Sequence, residues 1–452
     1  MAEAEAATTA AAASAADATP TPSESSGRRP IPTTVQRGVH VILRDSENAQ
    51  KVFWLGESCK DLRMGRYPPI PIENVLGMPY GAILRRSDGG QWNRFFRTAE
   101  DTASAAAAAE AAEVYESNQH LAQDNSAQAM SPGEVNEMKG RCGGEAVVEA
   151  LASNSTTFAT KTKFAQEKYL KKKQQKHVQQ VILIRPSLQE LCETYMKSGR
   201  NKVCGLRFDY LSSVLCHSDV RTGGRYLIID SAASLVVAAM AQQMAGNGKV
   251  YRVYRGGCPE KALTELDLGS RRSIVRPMPI EVLQSTDPAS LEWFKGPVLG
   301  PNENAEDAAA AGKLAGRKAR VQGRKDDFDD LKAQGVNSLV IVTGDEESQL
   351  ALEVLEVGLK HLRPGGRVVV YGQNLQPLAA KQGEFRTSGD FVEVRMHQLF
   401  TREYQVLPMR THPVMTAEAM LVEGFILSAT KVQGEAGEDV SAEAPGAKRR
   451  RR

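Results

Sequence analysis

The sequence predicts an α/β chain: a doubly wound parallel sheet with helices on both faces, preceded by a small N-terminal β-barrel-like module. Three observations predict it. From Val181 onward short β-branched runs, VILIRP, YLIID, KVYRVYR, SLVIVTG and RVVVYG, alternate with helical patterns such as SLVVAAMAQQMAG and LEVLEVGLKHL. Strands separated by helices imply right-handed crossovers and parallel pairing. Between Gly38 and Phe96 the apolar runs, VHVIL and KVFWL among them, are broken by Asp, Asn, Gly and Pro turn signals, and no helical period intervenes. The chain is also long enough, at 452 residues, for more than one core.

Taken in order, residues 1–37 form a tail. Its first 27 residues are rich in Ala, Thr and Ser, with Glu3, Glu5, Asp17 and Glu24 and no Lys or Arg, which fits neither a signal peptide nor a mitochondrial presequence. Without large apolar side chains it cannot offset its ordering entropy, and disorder is expected. Residues 38–97 hold the β-module, with Gly77 and Gly81 bracketing a Pro-Tyr turn. Residues 98–145 collapse to Ala, Glu, Ser and Gln, a partly helical insertion, and residues 146–180 read as a basic helical connector. The α/β domain is expected over 181–430, opening with the strand Val181 to Pro186. Within it, residues 302–330 combine an Ala run with GRKARVQGRKDD, and their charges predict an exposed loop. Residues 431–452 are a second tail that ends in Lys448-Arg449-Arg450-Arg451-Arg452, a basic pentamer of the kind that directs nuclear import.

The overall charge excludes a globally cationic nucleic-acid binder, since 57 Lys+Arg face 54 Asp+Glu. Any polyanion must bind a local patch. The cysteines Cys59, Cys142, Cys192, Cys204, Cys216 and Cys258 show no paired metal-ligand spacing and no disulfide framework, and Cys216-His217 side chains are expected to point apart, as neighbours in a strand or helix do. No apolar stretch is long enough to cross a bilayer.

Such a patch lies between Asn154 and Lys176, NSTTFATKTKFAQEKYLKKKQQK. Lys161, Lys163, Lys168, Lys171, Lys172, Lys173 and Lys176 face a single acid, Glu167, a local balance of 7 − 1 = +6. Phe158, Phe164 and Tyr169 interleave with them, so the segment can bury an apolar stripe or offer rings to unstacked bases. Lacking internal Pro or Gly, it reads as a helix capped by Ser155 or Thr156, with Lys161, Lys168 and Lys172 on one face and Tyr169 at its edge. The candidate RNA-binding residues are these seven lysines and Tyr169. A solvated helix face would have the same composition.

In doubly wound sheets ligands bind at the carboxyl ends of the strands. The stretch KHLRPGGRVVVYG resembles the helix-turn-strand signature of S-adenosylmethionine-dependent methyltransferases, with Pro364-Gly365-Gly366 as the turn. Such enzymes place a glycine-rich loop after the first strand, where this chain reads Asp230-Ser231-Ala232-Ala233-Ser234-Leu235. Alanine disfavours positive φ, and the cofactor would meet side chains where it needs backbone. After the second strand they place a carboxylate on the ribose; Tyr254 and Arg255 stand here, and a guanidinium accepts no hydrogen bond. After the next long strand, Thr343-Gly344-Asp345 replaces the catalytic loop, with Asp345 as a turn or N-cap residue.

Together with NVLGMPYG (74–81), LRFDYLSSVLCHSDVRTGGRYLIIDSAASLVVAAM (206–240) and EGFILSA (423–429), the lysine-rich string resembles the non-catalytic subunits of the eukaryotic tRNA methyltransferase that makes 1-methyladenosine in the T-loop. The resemblance covers most of Gly38 to Thr430 and leaves out both tails and both insertions. It implies a degenerate Rossmann-like class I methyltransferase fold with no catalytic residues, no bound cofactor and no metal. It further implies a catalytic paralogue as partner, two heterodimers joined as a heterotetramer, S-adenosylmethionine held by that partner, and tRNA as substrate. Two other readings stay open on the residues alone: an active S-adenosylmethionine-dependent RNA methyltransferase, and a nuclear assembly scaffold without RNA binding.

Overall fold

A computed structural model describes residues 32–65, 67–87, 89–96, 128–161, 163–256, 260–285, 288–295, 308–344, 348–406, 411–414, 420–421 and 424–432. The tail up to residue 31, most of the insertion 98–145, Cys258, Asp345 and the pentamer Lys448–Arg452 lie outside the described residues.

The N-terminal module is an antiparallel sheet of β1 (His40–Asp45), β2 (Gln50–Trp54), β3 (Ile83–Arg86), β4 (Trp92–Phe95) and β5 (Gln180–Ile184), in the order β2-β1-β5-β3-β4. The β1–β2 hairpin closes because the Asp45 carboxylate accepts hydrogen bonds from the amides of Glu47 and Ala49, and Asn48 takes the left-handed position at φ 68°. Val41, Leu43, Leu84, Trp92, Val181 and Leu183 pack into its own core. One expectation changes here. The strand predicted to open the α/β domain at Val181 is β5, which lies in the middle of the N-terminal sheet. The domain therefore starts after Ile184, because β5 pairs on both sides, with β1 and with β3, and local pattern cannot say which sheet an apolar strand joins.

Between β4 and β5 lie α1 (Pro132–Arg141), α2 (Gly144–Ser153) and α3 (Lys163–His177). Ser131 and Glu134 form a reciprocal capping box at the start of α1. Arg85 of β3 pairs with Glu145 of α2 and so ties the helices to the sheet. Gly144 is required where α2 meets the end of α3: a Cβ there would stand 2.5 Å from the His177 carbonyl oxygen and 2.6 Å from Val178 Cα.

The α/β domain runs α4 (Leu188–Ser198), α5 (Phe208–His217), β6 (Arg225–Asp230), α6 (Leu235–Gln243), β7 (Lys249–Tyr254), β8 (Val275–Pro279), α7 (Ala308–Gln334), β9 (Val336–Val342), α8 (Ser348–Leu359), β10 (Leu362–Gly372), α9 (Leu375–Thr387), β11 (Phe391–His397) and β12 (Phe425–Lys431). The sheet order is β8-β7-β6-β9-β10-β12-β11. The first five strands are parallel, and β12 and β11 are antiparallel to their neighbours. Apolar clusters cover both faces, one around Leu191, Tyr210, Val236 and Met240, the other around Tyr251, Phe294, Leu339 and Leu355. The order reverses at β6, which puts the switch-point crevice outside Asp230 and Val342.

Two further expectations are corrected. Pro364-Gly365-Gly366 is not a turn ahead of the strand but part of β10, where the register against β9 shifts and Gly365 sits at φ 75°. Of the stretch 302–330, the described part is not a loop. From Ala308 it forms α7, whose last turns bury Phe328 and Leu331 in the core; Ala, Lys and Arg are strong helix formers, and their charge does not alter that.

Candidate nucleic-acid interface

The lysine-rich segment folds differently from its predicted form at one end. Ser155 and Thr156 do not cap the helix; residues 154–161 are turns, Ser155 bridges to Gln128, and α3 starts at Lys163. Gln166 closes the junction, donating to the carbonyls of Phe158 and Lys161 at 3.0 Å each. Lys161 therefore lies outside the helix and does not share a face with Lys168 and Lys172. Its place in that stripe is taken by Lys176, since Lys168, Lys172 and Lys176 follow at intervals of four. Lys168, Lys171, Lys172 and Lys176 are exposed, and the side chain of Lys163 lies outside the described residues.

Tyr169 is an internal anchor. Its hydroxyl donates toward the Leu151 carbonyl at 3.2 Å and Gln128 Oε1 at 3.3 Å, and its ring meets Phe158 at 5.5 Å. The ammonium groups of Lys161 and Lys173 lie 4.8 and 5.2 Å from the ring centroid, within cation–π range. Burial raises the Tyr169 pKa, and a hydrogen bond with Ser155 lowers it in part. Lys173 is half-buried, and its pKa is lowered by burial first and then by Lys176, Lys172 and Lys161. The same field reaches His177, which is buried and held at about 4 by desolvation and by Lys139, Lys173 and Lys176. Crowded ammonium groups repel one another, and a polyanion relieves that repulsion. Away from the lysine stripe, α2 and α3 enclose a groove of about 520 Å³ lined by Val148, Ala152, Phe158 and Leu170 with Glu145 and Glu149, an acidic lining that disfavours phosphate.

Among the described residues, the loop after β6 at the switch point is held by the chain's own groups. Ala233 and Ser234 adopt φ 54° and 62°, so the left-handed path survives without glycine. The Asp230 carboxylate accepts from the amides of Ala232, Val236 and Val237 at 2.9, 2.8 and 3.0 Å, and Ala232 and Ser234 are fully buried. Burial raises the Asp230 pKa, against those three hydrogen bonds and the charge of Arg252. The Ala233 carbonyl accepts from Ala262, which lays residues 262–268 across the loop, with Leu263, Leu266 and Leu268 in the same core cluster. At the second strand, Arg252 is buried and donates to Glu260 at 2.7 Å, and Arg272 binds the other oxygen of Glu260 at 2.6 Å. Arg255, expected at the ribose position, instead turns to Glu353 of α8 at 3.6 Å. S-Adenosylmethionine does not fit these residues: the amides of Ala232, Val236 and Val237 are taken by Asp230, the glycine positions of the loop carry Cβ atoms, and the carboxylate beside the second strand, Glu260, has both oxygens engaged by Arg252 and Arg272. Sequence reasoning missed Arg252, Glu260 and Arg272, whose pairing exists only in three dimensions. Among the described residues no group of three His, Cys, Asp or Glu side chains could hold a metal, and no helix is long and apolar enough to cross a membrane.

Strand order and crevice define a class: a methyltransferase-type α/β fold with a switch-point loop held by its own groups and a cationic helix on an accessory module. Residues 34–307 match the Gcd10p family, and the chain belongs to it. Relatives include the tRNA (adenine(58)-N(1))-methyltransferase non-catalytic subunits of Dictyostelium discoideum (30% identical, covering 70% of this chain and 64% of that one) and Mus musculus (24% identical, 80% and 83%). The chain thus spans under two thirds of the Dictyostelium relative. Among solved structures, the tRNA (m1A58) methyltransferase TrmI of Aquifex aeolicus matches at 10% identity and a TM-score of 0.42, covering 89% of this chain and 100% of that one. The fold class rests on the strand order.

Proposed function

We propose that this chain is the non-catalytic, tRNA-binding subunit of a tRNA (adenine(58)-N(1))-methyltransferase complex. The observation that carries the reading is the crevice, whose loop amides are taken by Asp230, whose loop carbonyl at Ala233 is taken by Ala262, and whose Glu260 carboxylate is taken by Arg252. The names of the relatives support it from a separate direction. In this reading a catalytic paralogue binds S-adenosylmethionine, two heterodimers assemble as a heterotetramer, and this chain contributes orientation: lysines on α3 hold the phosphate backbone while transfer takes place in the partner. Nuclear localisation belongs to the same reading and rests on the Lys448–Arg452 pentamer.

The test uses the complex reconstituted with its catalytic subunit. Replacing Lys168, Lys171, Lys172 and Lys176 by alanine is expected to weaken tRNA binding at least about tenfold at moderate salt and to flatten the log–log salt dependence by roughly two to three units. An unchanged slope in an assembled mutant complex favours the scaffold without RNA binding. Micromolar binding of S-adenosylmethionine to the isolated chain would favour an active enzyme.

A further inference from the structure

Helix α7 carries Lys313, Arg317, Lys318, Arg320, Arg324 and Lys325, and no acid before Asp326. Its acids, Asp326, Asp327, Asp329 and Asp330, are confined to the C-terminal end. There Asp330 binds Arg225 and Lys249 at 2.6 Å each, and Asp327 binds Arg276 at 3.4 Å. This polarity runs against the helix macrodipole, which favours acids at the start and bases at the end. The macrodipole therefore does not account for the placement of the basic run at the start of the helix.

The direction of α7 is set by its partners. Asp330 accepts from the Tyr251 hydroxyl and binds Lys249, at the start of β7, whereas the charge of Arg324 acts on Tyr254 at the end of β7. The helix thus runs from the carboxyl side of the sheet back to its amino side. Its 27 residues span ~40 Å at ~1.5 Å each. The seven residues of β9 span ~23 Å at ~3.3 Å each. The surplus length overhangs the carboxyl ends of the strands. Among the described residues the helix is tied to the body at Arg324, which lies 5.6 Å from the Trp293 ring and donates to the Trp293 carbonyl, and at Phe328, 5.5 Å from Phe294. Ahead of that anchor Lys318, Ala319, Arg320 and Gln322 are exposed. Arg317, Arg320 and Arg324 follow the helical period and continue the face that buries Phe328 and Leu331, so the core-facing stripe becomes an arginine stripe where the core ends.

We propose that this overhanging arm, through Arg317, Lys318 and Arg320, is a second phosphate-binding surface for the RNA held by α3, with the Arg324–Trp293 stack fixing its direction. Arginine forks suit phosphate oxygens, and a helix anchored at one end presents them with little ordering entropy still to lose. The segment that matches the family ends at residue 307, just before the helix begins, so the arm is a feature of this chain beyond that match. The inference rests on the RNA-binding reading above.

The experiment measures binding of a fluorescent tRNA transcript to the reconstituted complex across a series of KCl concentrations. Arg317→Gln/Arg320→Gln is expected to weaken binding at least about threefold and to flatten the log–log slope by about one to two units. Lys318→Gln/Arg320→Gln, a second variant with the melting temperature followed alongside, is expected to do the same. A shallower slope with the α3 lysine variant and an unchanged slope with both α7 variants overturns the arm alone. Unchanged slopes with all three overturn the RNA-binding reading together with it.

Discussion

Arg252, buried on β7, donates from Nη1 to Glu260 Oε1 at 2.7 Å, and Glu260 in turn binds Arg272. A buried guanidinium is tolerated only while its counter-charge stays in place. Glu260→Ala is therefore expected to destabilise the protein by about 2 kcal/mol, below the usual ~3 to 5 for a fully buried pair because Glu260 is partly exposed. Arg252→Met should lose under about 1 kcal/mol, since the charge leaves with its desolvation cost and Glu260 keeps Arg272. Urea unfolding of the two variants checks the order, and a larger loss in Arg252→Met would contradict it.

Ala233 at φ 54° carries a Cβ in a conformation that costs an L-residue roughly 1 to 2 kcal/mol. Ala233→Gly is expected to stabilise the chain by about 0.5 to 1 kcal/mol after the added flexibility of the unfolded chain is subtracted. It should restore no S-adenosylmethionine binding, because Asp230 still occupies the amides of Ala232, Val236 and Val237. Thermal unfolding and cofactor titration on the same preparation separate the two effects.

The parallel sheet was legible because buried β-branched strands such as VVVYG and LVIV have few alternatives to a central position. β5 was not, since its apolar run fits either sheet and the choice is tertiary. In α7, a composition that reads as solvent-loving obscured a strong helix former whose last turns reach Leu331. The glycine-free loop was visible at Ala232 and Ala233, but not that its backbone keeps positive φ, which depends on Asp230 holding three amides. For the lysines, the charge was plain in the sequence. The division between four exposed ammonium groups and two turned onto Tyr169 depends on where the helix starts, and Gln166 decides that by bonding backward.

His177 is buried beneath the end of α3 with its pKa at about 4, against 6.5 in an unfolded chain. Between those values the unfolded state binds the extra proton, so stability rises with pH. The contribution is complete above about pH 6.5 and is lost as pH falls through about 4; the shift corresponds to roughly 3 kcal/mol, which solvent screening reduces to on the order of 2 kcal/mol. Its Nδ1 finds no hydrogen-bond partner among the described residues, so an apolar replacement leaves no polar group there to strand. His177→Leu is expected to flatten the stability profile between pH 6.5 and 4 while changing little at pH 8. Equal pH slopes in the two proteins would count against the assignment.

Tyr169 offers the sharpest distinction between an anchor and a stacking platform. As an anchor, it holds α3 to α2 through its bond to the Leu151 carbonyl, packs on Phe158, and carries Lys161 and Lys173 on its ring. Tyr169→Phe keeps the ring and loses the hydrogen bonds, at about 1 kcal/mol. Tyr169→Ala also loses the packing and the cation–π contacts, for a total of about 2 to 4 kcal/mol. Because the hydroxyl and ring act on the fold, both variants should lower the melting temperature of the isolated chain, and Tyr169→Phe should leave the salt dependence of tRNA binding unchanged in the complex. A base stacked on Tyr169 would give the opposite pattern: Tyr169→Ala would weaken tRNA binding by ~1 to 3 kcal/mol with an unaltered melting temperature, because stacking energy is felt only in the bound state.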